Sequence, residues 1–409
     1  MRNKMLAIAI AAGLAATSFS AFASPQSSAG SNAKEIAELK AQLAALQAKV
    51  DQLEQNSQTN AELQAKVDQL QQDSRTDAQQ ALSTQQTLTQ MQHSDWANTT
   101  KISGTSFIDF TNIDQTKNGT KTDSSGTGLD VKRFYLQVDH QFNDTWSADL
   151  TTDFNYVSSD SETQLFVKKA YLQGAFSPLA TLRVGSAGMA WIPFVEDYYG
   201  YRFVENTFID RLKFGNSADW GMHLLGDNGV FNYQVSMVNG GGYKNPTRSN
   251  SVDFEGRVGV QPVVGLMIAV GGYSGDLGKD TDSSPALHTA SRVDAMIAYK
   301  NDNLRVGTEW FKADNWNNVV SVPTDSADGY SMWASYDWGT ASLFARYDHA
   351  HTSKDLDPSL TDKYYNIGVG FPITKGVRMA VAYKDETLQD NSSIDTKTKE
   401  FGVWSEVKF

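Results

Sequence analysis

The sequence has no cysteine and only nine prolines in 409 residues. Past its N-terminal segment, no run approaches the ~20 apolar residues of a membrane-spanning helix. Without cysteine there is no disulfide framework, no thiolate metal site and no lipid-acylated thiol. Positive charge is also short: 35 Lys and Arg stand against 47 Asp and Glu, for a net charge of -12. That balance argues against nucleic acid as a partner. What the chain has in quantity is Gly, Phe, Tyr and Trp, at 31, 20, 16 and 9 residues.

The chain begins with Arg2 and Lys4, an Ala-rich apolar run and Ala21-Phe22-Ala23. This pattern is expected of a secretory signal peptide over 1–23, and the alternative is a membrane anchor. An exported chain without a spanning helix can still cross a bilayer as a closed barrel, because strand pairing satisfies every backbone group.

Residues 31–92 carry a different period. Ile36, Leu39, Leu43, Leu46, Val50 and Leu53 recur at alternating spacings of three and four, the seam of a coiled coil. "LQAKVDQLEQ" from Leu46 returns as "LQAKVDQLQQ" from Leu63, seventeen residues on. Two heptads plus three residues shift the seam near "NSQTN". A coiled-coil stalk followed by a Gln/Thr-rich tether is expected, with an amphipathic helix lying on a surface as the alternative. The stalk implies an oligomer.

From about residue 99 the period is two. Phe134, Leu136 and Val138 alternate with Arg133, Gln137 and Asp139; Trp146, Ala148, Leu150 and Phe154 alternate with Ser147, Asp149, Asp153 and Asn155. In a water-filled barrel the apolar face meets lipid and the polar face lines the lumen. Short turns are expected at Asn143–Thr145, Ser177–Leu179, Gly226–Gly229, Gln261-Pro262, Asn301–Asn303, Trp338–Thr340 and Thr374–Gly376. Longer loops are expected at 114–128, 157–164, 188–217, 242–251, 275–288, 315–328, 353–362 and 388–397. Fifteen connections predict an all-β domain over 99–409, a 16-stranded antiparallel transmembrane β-barrel with an aqueous channel. The final "FGVWSEVKF" is expected to close the barrel against the first strand, since an unpaired terminal strand is a sticky edge. Its terminal Phe reads as an outer-membrane assembly signal. Short turns facing the periplasm place the α-helical coiled coil there too.

The stretch "VKKAYLQGAFSPLATLRVGSAGMAWIPFVED" resembles the phosphate-selective porins of the O/P type, in the order strand, Pro turn, "LRVG" and Pro193-Phe194. The resemblance runs from about Gly128 to the end. It implies a sixteen-stranded homotrimer whose third loop folds into the channel. Related dicarboxylate-type porins also carry an N-terminal coiled coil. The chain lacks a dense local Lys/Arg ladder, a departure that bears on phosphate specificity.

Face parity independently puts Arg133, Lys169, Arg257, Arg292, Arg305, Arg346, Arg378 and Lys384 in the lumen, with Arg183. Inward acids such as Asp149, Asp153, Glu255, Asp294 and Asp348 offer these cations partners, so they are either channel charges or satisfied structural ones. The longest loop carries Arg202, Arg211 and Lys213, which with Arg183 form the expected constriction. Its rings either pack the loop to the wall or make a track for sugars. His349-Ala350-His351 has no third metal ligand in view, and "GKDTDSS" and "NGGGY" fit no calcium or phosphate loop. No catalytic constellation, metal or cofactor is expected. The expected role is an outer-membrane diffusion channel for small anions such as phosphate or dicarboxylates. A sugar channel, or a barrel tethering the membrane to peptidoglycan or a periplasmic partner, are the alternatives.

Overall fold

The structure, a computed structural model, describes residues 29–92, 95–157 and 162–409. The expected signal peptide lies outside these residues. The chain divides into two units, one ending at Gln90 and one beginning at Met91.

The first unit is a helix, α1 (Ala29–Gln92). It runs unbroken through "NSQTN" and through the Gln/Thr-rich stretch expected to be a tether. The tether is therefore helical, because no Gly or Pro interrupts residues 71–92 and Gln and Ala sustain a helix. Leu39, Leu43, Leu46, Val50 and Leu53 are exposed along it, as are Leu63, Val67 and Leu70.

The second unit opens with a short helix, α2 (Asp95–Thr99). Among the described residues, sixteen long strands follow. They are β1 (Thr100–Lys117), β2 (Gly126–Gln141), β3 (Trp146–Val157), β4 (Glu162–Ser177), β5 (Ala180–Gly188), β6 (Ala218–Asp227), β7 (Phe231–Val238) and β8 (Asp253–Val263). The second half comprises β9 (Leu266–Gly275), β10 (Ala290–Lys300), β11 (Leu304–Asp314), β12 (Ser326–Asp337), β13 (Ser342–Ser353), β14 (Leu360–Thr374), β15 (Val377–Gln389) and β16 (Asp395–Lys408). A two-residue piece, Thr120–Lys121, pairs back onto the end of β1. All pairings are antiparallel, and β16 pairs with β1 over Thr105↔Lys408 to Lys117↔Thr396, closing the barrel.

Short connections gather at one end and long ones at the other. One turn is displaced from its expected place: β8 continues through Gln261-Pro262, and the reversal falls at Val264-Gly265, with Gly265 at φ 88°. The ladder is irregular there, between Leu266 and Ile268, so Pro262 removes no needed hydrogen bond.

Phe409 answers the edge problem. Its backbone exchanges hydrogen bonds with Gly104 at 2.9 and 3.1 Å. A Cβ on Gly104 would stand 2.3 Å from the Phe409 ring, so only glycine lets the terminal ring lie across β1.

Alternation is regular along most strands. In β13, Phe344, Arg346, Asp348 and Ala350 are buried inside, while Leu343, Ala345 and Tyr347 face outward. Outward rings gather near strand ends, with Trp146 against Phe176 and Tyr336 against Trp338. The apolar core lies inside the barrel. The loop 189–217 supplies Trp191, Ile192, Val195, Phe203, Phe208 and Ile209, and the wall supplies Phe311, Trp333 and Phe344. Small inward residues make room for it: Ala298, Ala313, Ala327, Ala350, Ala380 and Ala382.

Candidate functional site: the pore wall and its loop

The loop between β5 and β6 folds into the lumen because its sequence is apolar on one side. Helix α3 (Ile192–Tyr199) starts with Pro near its N-terminus and ends at Gly200, at φ 79°, a left-handed stop that suits Gly. Ile192, Val195, Tyr198 and Tyr199 share its buried face. A second short turn, α4, spans Phe208–Arg211.

The rings pack rather than line a track. Tyr201 stacks on Phe344 at 4.1 Å and donates to Ser342 Oγ at 2.7 Å. Phe208 and Phe214 meet Phe311 at 5.3 and 5.0 Å. Trp191 is fully buried and its indole N–H donates to Glu309 at 2.7 Å. Burial of these rings removes the surface that a sugar track requires.

The inward arginines divide into two groups. Arg257, Arg292, Arg305, Arg346 and Arg378 each donate to a backbone carbonyl of this loop: Ala190, Phe214, Asp197, Asn206 and Gly200 respectively. Arg292 also bridges Glu255 and Asp294, each at 2.7 Å, and Arg346 holds Asp348 at 2.6 Å. Arg378 pairs with Glu406 at 2.5 Å. Lys384 reaches Glu205 of the loop at 3.1 Å and Glu400 at 3.0 Å. These cations clamp the loop to the wall of β8–β16. The side chains of Arg292 and Arg346 keep only 1% of their surface accessible, so they present little charge to a passing ion.

The four residues expected at the constriction are placed differently from one another. Arg211 is locked onto Asp348, Asp362 and Glu386 at 3.1, 2.6 and 2.5 Å, and lies over the Tyr364 ring. Arg202 pairs with Glu196 and, at 3.7 Å, with Asp210. Lys213 is exposed, at φ 61°, and its carbonyl accepts from Trp316 at 3.0 Å. Arg183 lies on β5 near the short-turn end, donating to Gln173 at 2.8 Å. They share no common partner among the described residues.

Burial pushes the Asp210 carboxyl above the usual aspartate range, against the pull of Arg202. Glu205 is buried as well, but Lys384, Lys132 and Arg346 outweigh burial and hold it below the usual range.

The opposite wall carries a feature that alternation misses. "VKRFYLQ" from Val131 returns as "VKKAYLQ" from Val167, on β2 and β4. In each copy the first lysine is the extra residue of a bulge. The β1–β2 register steps from Phe107↔Arg133 to Ile108↔Val131, passing over Lys132. The β3–β4 register steps from Thr151↔Lys169 to Thr152↔Val167, passing over Lys168. A bulge breaks the period of two locally. Lys132 and Lys168 therefore turn inward beside Arg133 and Lys169, although parity assigns them to lipid. The repeated heptapeptide was the available signal.

These cations are loosely held by carboxylates, although Lys132 also donates to the loop carbonyl of Val204 at 3.4 Å and Lys168 is buried. Lys132 lies 3.7 Å from Asp109 and Arg133 lies 3.8 Å from Asp153, and their side chains remain 32% and 21% accessible. Lys168 meets the Tyr135 hydroxyl at 3.1 Å and the Tyr135 ring. Among the described residues, Lys168, Lys169 and Arg183 have no carboxylate within 4.0 Å. A cavity of ≈ 670 Å³ opens beside Lys132, Arg133, Arg202 and Phe107. Another, of ≈ 490 Å³, opens beside Asp139, Asp149, Tyr171 and Arg183 toward the short-turn end. No group of three or more potential metal ligands occurs among the described residues.

A closed sixteen-stranded antiparallel barrel with an inward-folded loop is a porin-like fold. Solved structures similar to it include outer-membrane proteins and porins. An anion-selective porin from Comamonas acidovorans matches with a TM-score of 0.53 and 11% identity, over 76% of this chain and 99% of that one. OprB of Pseudomonas putida matches with a TM-score of 0.53 and 10% identity, over 76% and 94%. In-vitro folded OmpT of Vibrio cholerae, in its trimer form, matches with a TM-score of 0.50 and 14% identity, over 76% and 99%. At such identities the likeness concerns the fold alone. No protein-family model and no curated protein matches the chain, so the resemblance to O/P-type porins rests on its motifs.

Proposed function

We propose that the protein is an outer-membrane diffusion channel for small solutes with a mild preference for anions. The observation that carries the preference is the pair of bulged V-K-[R/K] copies. They set Lys132, Arg133, Lys168 and Lys169 on the wall that faces the loop, loosely paired, with Lys132 and Arg133 partly accessible and Lys168 buried behind them. Arg183 continues this wall toward the short-turn end, and Arg202 faces it from the loop. Arg257, Arg292, Arg305, Arg346, Arg378 and Lys384 act as loop clamps instead, and Arg211 joins them. The constriction then lies between the loop and the β2–β5 wall.

Small anions such as phosphate or dicarboxylates suit this wall. A sugar channel is less favoured because the loop rings are buried. With short turns facing the periplasm, β1 begins on that side and the α1 stalk belongs there. The unburied seam from Leu39 to Leu70 favours a coiled-coil oligomer, whose number the resemblance to trimeric porins sets at three, with a periplasmic or peptidoglycan contact as a second role for the stalk. Planar-bilayer recording of the purified protein tests the channel. Discrete conductance steps are expected, and their absence at all voltages refutes the reading.

A further inference from the structure

The outer surface of β10–β14 is not evenly convex. Its outward residues lie in rows set by the register. Met332, Tyr347 and Tyr365 form one row, and Ala334, Ala345 and Ile367 form the next row toward the short turns. The two alanines leave a depression walled by exposed Met332, Tyr347, Tyr365, Ile367, Ile297 and Val306. It forms an open groove of ≈ 880 Å³ whose wall is almost wholly apolar.

The row above the groove, toward the long loops, is Tyr330, His349 and Lys363. Lys363 is exposed and makes no ion pair among the described residues. His349 stacks edge-on against His351 at 5.1 Å, and its Nδ1 is buried with no hydrogen-bond partner. A lysine on the lipid-facing side costs ~2–4 kcal/mol at the bilayer midplane and about 0–1 near the interface. Lys363 is three residues from the loop end of β14, where its stem can lie on the wall and its ammonium reach the headgroup level.

We propose that this groove holds one acyl chain of a phosphate-bearing lipid of the outer leaflet, with its phosphate on Lys363 beside the His349 ring. Charge complementarity selects this occupant: an unpaired, exposed cation caps an apolar slot on a face that bilayer surrounds. The idea rests on the outer-membrane reading but not on conduction.

Native mass spectrometry of the full chain in mild detergent tests it, with an anionic phospholipid, a diacylglycerol of the same chains and inorganic phosphate as probes. The wild type is expected to retain one tightly held phospholipid per barrel and to retain diacylglycerol more weakly. Lys363→Ala with His349→Ala should lower phospholipid retention at least tenfold and leave diacylglycerol retention unchanged. Ala345→Trp, which fills the groove, should lower both. Equal phospholipid retention by the wild type and the double variant overturns the proposal, as does competition by inorganic phosphate without lipid. If Ala345→Trp breaks the oligomer while lipid stays bound, the groove is a contact between copies and the proposal fails. Bilayer conductance of the same preparations reports separately on the channel reading.

Discussion

Lys132 and Lys168 show how one inserted residue changes what a side chain does. Without its bulge, either lysine would face lipid at a cost of ~2–4 kcal/mol near mid-bilayer. With it, each adds a second cation beside Arg133 or Lys169. A charge about 8 Å from a passing ion in water-like surroundings is worth about 0.5 kcal/mol, with opposite signs for anion and cation; screening at ~0.1 M salt roughly halves this and leaves about a twofold change in permeability ratio. Lys132→Ala with Lys168→Ala should therefore lower the anion-to-cation permeability ratio about fourfold at ~0.1 M salt, and more at lower salt. An unchanged ratio removes the bulge lysines from the pore. Asp210 gives a pH test. Its raised pKa, set by burial, means that it protonates on mild acidification before an ordinary aspartate. Arg202 then loses part of its compensation, so anion preference should rise as the pH falls, beginning before an ordinary aspartate would titrate. Asp210→Asn should show the higher preference already at pH 7 and a smaller pH response. Glu205, held below the usual range chiefly by Lys384 against its burial, stays charged throughout.

At the scale of elements, the loop 189–217 is part of the barrel's interior rather than a flap. Trp191 shows how it is held. Its ring lies on Gly271, where a Cβ would stand 2.6 Å from it, and its N–H meets Glu309. Trp191→Ala removes a fully buried ring, a change that costs about 3–5 kcal/mol in a packed core. The expected outcome is a lower thermal midpoint with larger and noisier single-channel conductance. Unaltered conductance would show that the arginine clamps fix the loop without the ring. The strands were readable from their alternation and turn residues, because a sheet with lipid on one side and water on the other enforces a period of two. The inward side of Arg292 or Arg346 was readable for the same reason. Their role was not, since parity assigns a face and names no partner. The carbonyls that they bind come from a loop up to 140 residues away in sequence. The bulged lysines escaped because a bulge is a local break in the rule used to read the faces.

At the scale of the molecule, the two units pose different problems. The barrel satisfies its own backbone and edges, since β16 and Phe409 close onto β1. The α1 helix leaves its leucine seam bare, and a helix with no buried face gains little from packing. The oligomer should therefore be read by both units. Mass photometry in mild detergent should give trimers for the full chain, and trimers again when 29–92 are deleted, if the barrel-to-barrel contact is the larger surface, as the proposed trimer requires. Monomers from the full chain would contradict this reading.

The division of labour among the inward cations is tested most directly by the zero-current potential across a planar bilayer in a low-salt KCl gradient. Two variants decide it. One neutralises Lys132, Arg133, Lys168 and Lys169; the other is Arg292→Gln with Arg346→Gln, which alters the sealed clamps. The first should move the potential strongly toward cation selectivity, with a smaller loss of stability than the second. The second should lower stability while any channels that still form keep near-wild-type selectivity. If the first variant keeps the wild-type potential, or the second shifts it as far as the first, the β2–β4 wall does not set the selectivity of this pore.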